Sequence, residues 1–215
     1  MKINLPTKIT ITRIVLVVAL LVFWFVYAIG GKFFGWVSLT LGGTSVTLFG
    51  LISAIVFVVA SATDALDGYL ARSRHEVTDL GKFLDPIADK MLVNSSLIFF
   101  AVPWEFTPFS LTVPVFCVIV MVLRDLIVDT MRFVAASKGK VVAANIFGKL
   151  KTVFQMIALP VLMLNGWPFS LFDSSWNPYL RVASILIYLA TAMSLISGII
   201  YVIQNRNVLK EEPHD

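Results

Sequence analysis

Four aspartates stand out in a chain that is otherwise mostly apolar. Asp64 and Asp67 are three residues apart, and Asp85 and Asp89 are four apart, within the charged block 64–90, DALDGYLARSRHEVTDLGKFLDPIADK. On helices, either spacing turns both carboxylates to one face. Carboxylates at close range repel unless positive charge lies among them. An all-oxygen donor set favours hard cations, Mg2+ first, with Mn2+ or Ca2+ as alternatives. Four acids on two helices could hold two ions, and two ions about 3.5–4 Å apart are the usual clamp for in-line displacement at phosphorus. Gly68 and Gly81 lack side chains beside the acids, which permits close approach of backbone to ligand. Arg72 lies about two helical turns beyond Asp64, where a guanidinium suits a phosphate oxygen. The plainer alternative is a solvated helix end whose acids pair with Arg72, Arg74, Lys82 and Lys90. A lone Asp-x2-Asp would favour that alternative; the whole set of positions at fixed spacing does not.

Composition dictates the scaffold that must position these groups. Of 215 residues, 58% are apolar and 14% charged, whereas soluble domains are roughly 25% charged. A soluble fold of this size could not cover its surface with so few polar residues. Disorder is excluded by the same figures, and a disulfide scaffold by the single Cys. An all-α, polytopic membrane protein remains. Six stretches approach the roughly 20 apolar residues that a membrane-spanning helix needs: 10–29, 46–63, 83–102, 112–134, 145–164 and 180–203. The first follows basic residues but lacks a small-residue cleavage site, so it reads as a retained helix rather than a signal. No strand alternation, internal repeat or linker is visible, so residues 1–215 are expected to form a single membrane domain.

Lys and Arg placement orients the chain. With the N-terminus in the cytoplasm, Lys2, Lys8, Arg13, Arg72, Arg74, Lys82, Lys138, Lys140, Lys149, Lys151, Arg206 and Lys210 all fall inside, and only Lys32 and Arg181 outside. Both termini and the acidic block are therefore expected at the cytoplasmic face. The net charge of +4 is accounted for by topology, and no nucleic-acid partner is expected. The second and third helices, joined by a cytoplasmic loop, are expected to be antiparallel neighbours whose acids converge. A chain of this length without a transit segment suits a bacterial plasma membrane.

The run Asp64-x2-Asp67-Gly68-x2-Ala71-Arg72-x8-Gly81-x3-Asp85-x3-Asp89 matches, without a gap, the signature of the CDP-alcohol phosphotransferase family. The resemblance implies a fold of six transmembrane helices, generally homodimeric, that moves a phosphatidyl or related group from a CDP-linked donor to an alcohol and releases CMP. It implies that Asp64, Asp67 and Asp85 ligate Mg2+ or Mn2+, two ions in all. Asp89 takes the position of the general base and also touches the second metal. Gly68, Arg72 and Thr78 take positions that contact the CDP donor, and Lys90 is a further candidate for phosphate contact.

The second half bears on the acceptor. Arg124, Asp125, Asp129 and Arg132 repeat near the helical period in the fourth stretch, and the fifth opens with GKLKT, 148–152. These resemble the arginine-bearing fourth helix and GKxKT segment of the phosphatidylglycerophosphate synthase branch of the family. The opening Asn4-x-Pro6 and Thr10-x2-Arg13 extends the likeness to nearly the whole chain, with Thr7 standing where Asn is usual. The branch implies CDP-diacylglycerol as donor and sn-glycerol 3-phosphate as acceptor. The acceptor phosphate needs a basic pocket near the metals, and Arg124, Arg132, Lys149 and Lys151 can build one. Alternatively the lysines mark the cytoplasmic interface, and Arg124–Asp125 and Asp129–Arg132 neutralise each other. Rival activities within the family are cardiolipin synthesis from phosphatidylglycerol and transfer to inositol phosphate or serine. A cation transporter is the rival from another class, but carriers hold their sites near the bilayer midplane, not at a helix end.

Overall fold

The computed structural model describes the backbone of residues 4–30, 37–41, 43–73, 79–102, 111–139, 143 and 145–206, and their side chains except those at 5, 6, 65–73, 79 and 82. Six long helices dominate the described residues: α1 (Leu5–Gly30), α2 (Leu48–Ser73), α3 (Asp79–Ala101), α4 (Val115–Ser137), α5 (Ile146–Met163) and α7 (Val182–Asn205). A short α6 (Ser170–Asp173) lies between the last two. Each long helix falls on one of the six apolar stretches.

The largest boundary difference is in α2, which runs ten residues past the predicted end at 63. Hydropathy falls at Asp64, but Ala65, Leu66, Leu70, Ala71 and Arg72 are good helix formers, and backbone hydrogen bonding continues through them. Asp64, Asp67, Gly68 and Arg72 therefore share one continuous helix. Helix α3 carries Pro86 between Asp85 and Asp89, so the carbonyl of residue 82 loses its usual helical donor.

Among the described residues, three helical segments are long and apolar enough to cross a membrane: Thr7–Gly30, Ile146–Met163 and Val182–Asn205. The apolar part of α2 is shorter, Leu48–Asp64. The apolar character of α3 and α4 is interrupted by Asp85, Asp89 and Lys90, and by Arg124, Asp125, Asp129 and Arg132, though both helices are continuous.

The fold is not purely helical as expected. Strands β1 (Ser38–Leu41) and β2 (Thr44–Thr47) form an antiparallel hairpin with Ser38 opposite Thr47 and Leu41 opposite Thr44. Gly43 sits at φ +86° in its turn, a conformation that glycine adopts without steric cost. The Asn165 side chain donates to the Ser45 carbonyl at 3.2 Å, and Thr44 and Ser170 share a hydroxyl contact at 2.6 Å. Both fasten the hairpin to the connection between α5 and α7.

Among the described residues, α1 packs against both α2 and α3 more extensively than those two pack on each other. The expected direct pairing of α2 with α3 is thus mediated largely by α1. Trp24 of α1 donates to Ser53 Oγ of α2 at 2.9 Å and stacks on Phe99 of α3 at 4.6 Å. Helices α2 and α5 meet at Gly50, where a Cβ would lie 2.1 Å from the Met163 carbonyl oxygen. Helix α7 completes the frame against α5 and α4.

Large apolar side chains face outward on the long helices, including Val15, Phe25, Ile55, Phe116, Phe133 and Ile203. Arg13, Ser53, Ser96, Lys151, Gln155, Ser194 and Ser197 are buried instead. In water the outer face would be an extensive exposed apolar surface. Polar groups facing the bundle interior are what a hydrocarbon surrounding demands.

Candidate active site

Helix α1 ties down two of the signature aspartates. Thr10 Oγ1 donates to Asp85 Oδ1 at 2.8 Å, and Arg13 Nη1 donates to Asp64 Oδ1. Thr10 and Arg13 are i and i+3 on one helix face, and each is only 1% exposed. The Asp64 side chain is 47% exposed. Arg13, counted from sequence among the cytoplasmic basic residues, is therefore an interior cation paired with an acid 51 positions away. Its sequence signal was an arginine inside the turns of an otherwise apolar helix, where a charge needs a partner.

Asp89 is one helical turn beyond Asp85 on α3 and half-buried. It lies within electrostatic range of Asp64, Arg13, Lys151 and Asp125. Among the described residues no three acidic, Cys or His side chains are gathered closely enough to hold a metal ion. The Asp67 side chain lies outside the described residues, as do the Arg72 side chain and the whole of Thr78. The donor set is nonetheless oxygen only, and Asp64 and Asp89 raise each other's need for a counter-charge. Those donors fit a hard divalent cation.

Asp89 also lines a cavity of about 230 Å³ between α3, α4, α5 and α7. Helix periodicity explains the lining. Asp89, Lys90 and Asn94 form the α3 stripe, Arg124, Asp125, Asp129 and Arg132 the α4 stripe, and Gly148, Lys151, Thr152 and Gln155 the α5 stripe. Tyr201 of α7 closes one side, with the Arg132 guanidinium 5.6 Å from its ring centre. Five basic side chains, Lys90, Arg124, Arg132, Lys149 and Lys151, line the cavity against three carboxylates. The surplus is positive, which suits an anion.

Of the two pairs in the neutralising alternative, Arg124–Asp125 forms, and Lys151 joins it. Asp125 accepts from Arg124 at 3.1 Å and from Lys151 at 2.6 Å through each of its oxygens. Asp129 pairs with Lys90 of α3, whereas the neutralising alternative had paired it with Arg132. Lys149 is exposed and Lys151 only 4% exposed, although both line the cavity. Asn145, Ser197 and Gly148 were not foreseen as site residues. Asn145 caps α5 by accepting from the Gly148 N–H at 2.8 Å and also reaches Ser197 of α7. An Asn just before an apolar-periodic run is a helix-start signal, but its link to α7 has no counterpart in local sequence.

Asp89 thus lies within electrostatic range of Asp64 and also lines the basic cavity. A protein of Bacillus subtilis (strain 168) named CDP-diacylglycerol–glycerol-3-phosphate 3-phosphatidyltransferase is 38% identical over 207 residues, covering 96% of this chain and 97% of its own. Proteins of the same name from Mycoplasma pneumoniae (37% identical, 96% and 89% covered) and Haemophilus influenzae (32% identical, 94% and 92% covered) are also similar. With residues 3–196 matching its profile, the chain belongs to the CDP-alcohol phosphatidyltransferase family.

Proposed function

We propose that this protein transfers the phosphatidyl group of CDP-diacylglycerol to sn-glycerol 3-phosphate, forming phosphatidylglycerophosphate and CMP in phospholipid biosynthesis. The single observation that carries the reading is the basic cavity that shares Asp89 with the acidic centre. An acceptor phosphate held there has its free hydroxyl beside a carboxylate. The names of the similar proteins support the same donor and acceptor.

The acceptor phosphate is held by Arg124, Arg132, Lys149 and Lys151, with charge-assisted hydrogen bonds that are stronger than neutral ones. Asp89 takes the proton of the acceptor hydroxyl, a base held within hydrogen-bond reach being worth about 10²–10⁴-fold in rate. The hydroxyl oxygen attacks the phosphorus that bears the diacylglycerol, and the bond from that phosphorus to the CMP oxygen breaks. Gly68, Arg72, Thr78 and Lys90 are assigned to the donor, with Arg72 offsetting charge on the departing phosphate. Asp64, Asp67, Asp85 and Asp89 would hold the divalent ions, Mg2+ or Mn2+ and two in number. When bound, such ions would supply charge stabilisation at the pyrophosphate. No Ser, Cys or His nucleophile is needed, so attack is direct and in line.

We further read all six long helices as spanning a plasma membrane, with both termini and the site at the cytoplasmic face and the protein acting as a homodimer. Helix packing can bury the charges of α3 and α4 toward the cavity rather than toward lipid. CMP release by purified protein with a panel of alcohols tests the function. Release with sn-glycerol 3-phosphate is expected. Release with phosphatidylglycerol alone would reassign the acceptor, and transport without CMP would reassign the class. Inversion at a chiral phosphorus is expected; retention would point to a covalent intermediate.

A further inference from the structure

Arg124 occupies a slot built from two helices. A Cβ placed on Gly198 of α7 would lie 2.9 Å from Arg124 Cγ, and one placed on Gly148 of α5 would lie 2.9 Å from Arg124 Nη2. Both approaches are closer than carbon side chains allow; at Gly198 the obstruction would be to the arginine stem, and at Gly148 only to its mobile end. Its Nη2 donates to Ser197 Oγ at 2.5 Å. Arg can only donate, so the Ser197 hydroxyl must turn its own proton elsewhere, and it donates to Asn145 Oδ1 at 2.6 Å. The Asn145 side-chain amide donates back to the Ser197 carbonyl at 3.0 Å, which fixes the Asn orientation. On the other side Nη1 donates to Asp125 Oδ1 at 3.1 Å. Each terminal nitrogen thus spends one of its two N–H groups on the protein. Arg124 lines both the polar cavity and an apolar groove formed with Leu123, Ile127, Leu195, Gly198 and Ile199. Its stem crosses from one to the other.

We infer that Ser197 and Gly198 of α7 are positioning residues for acceptor recognition, aiming the Arg124 guanidinium into the cavity without touching the acceptor themselves. The inference rests on the acceptor reading above and goes beyond it by assigning to the last helix a part in specificity. A glycine that merely spaced helices would act independently of Arg124; one that forms the slot acts through it.

The test is a double-mutant cycle on the purified full-length protein, read as KM for sn-glycerol 3-phosphate, KM for CDP-diacylglycerol and kcat from CMP release. Gly198→Ala is expected to raise the acceptor KM about tenfold, the size of one lost hydrogen bond to a charged group. Its kcat and donor KM should stay within about twofold, since binding alone is weakened. Ser197→Ala should raise the acceptor KM several-fold in the same manner. Added to Arg124→Ala, Gly198→Ala should change the acceptor KM less than about twofold, because coupled sites are non-additive. Alanine is a better helix former than glycine, thermal unfolding of Gly198→Ala reports any loss of fold, and Ser197→Ala adds no atoms. Equal fold-changes in both backgrounds would overturn the inference alone. So would an unchanged acceptor KM in both single variants. A wild type that releases no CMP with sn-glycerol 3-phosphate would overturn the functional reading and this inference together.

Discussion

Lys151 of α5 reaches both carboxylate oxygens of Asp125 on α4, at 2.6 Å each, with only 5% of the lysine side chain and 13% of the aspartate side chain exposed. The pair clamps two walls of the cavity together. Breaking a buried pair from one side costs about 3–5 kcal/mol, whereas replacing both partners by apolar groups is often neutral. Asp125→Leu alone should therefore lower the melting temperature of the detergent-purified protein markedly. Lys151→Met with Asp125→Leu should recover most of it without restoring the acceptor KM. Thermal unfolding alongside CMP release separates the two effects. An additive double variant would mean that the pair does not clamp the walls.

Asp89→Asn keeps the shape of the side chain and removes its basicity. Turnover should fall by about 10²–10⁴-fold, while CDP-diacylglycerol binding stays near that of the wild type. Single-turnover CMP release and donor binding measured on one preparation check this. Wild-type rates in the variant would remove Asp89 from the role of base.

Removal of divalent ions by a chelator should stop CMP release, and Mg2+ or Mn2+ should restore it. Asp64→Asn and Asp85→Asn should abolish turnover or shift the ion requirement to much higher concentration, since each removes an anionic oxygen donor. Titrating Mg2+ against initial rate for each variant is the measurement. An unchanged ion dependence in both variants would place the ions elsewhere.

Gly50→Ala tests the α2–α5 contact. The added Cβ would lie 2.1 Å from a backbone carbonyl oxygen, which no rotamer change can relieve. Overpacking of this kind costs about 1–3 kcal/mol, so the melting temperature should drop even though alanine favours helix. An unaltered melting temperature would mean that the two helices separate freely there.

Much of the fold was legible because helices leave local marks. The six apolar stretches located the six long helices, and the spacing of Arg124, Asp125, Asp129 and Arg132 identified a face that does line one cavity, to which α3 brings Asp89. The hairpin was passed over although Gly42-Gly43 between Leu41 and Thr44 is a two-residue turn signal. Its strands are four residues each, too short for alternation to stand out. The end of α2 was placed early because hydropathy reports the preferred solvent of a side chain, not whether the backbone goes on hydrogen-bonding.

The amino-acid order alone determined the helical stretches, the acidic spacing and the excess of basic residues in the second half, since periodicity and charge are properties of neighbours along the chain. Which faces meet was decided by packing. Arg13 finds Asp64 across 51 positions and Arg124 finds Ser197 across 73, and nothing near either arginine encodes those distances. Helix α1 seated against both α2 and α3, and two glycines opened room for Arg124, because close-packed interiors admit few arrangements that leave each buried charge with a partner.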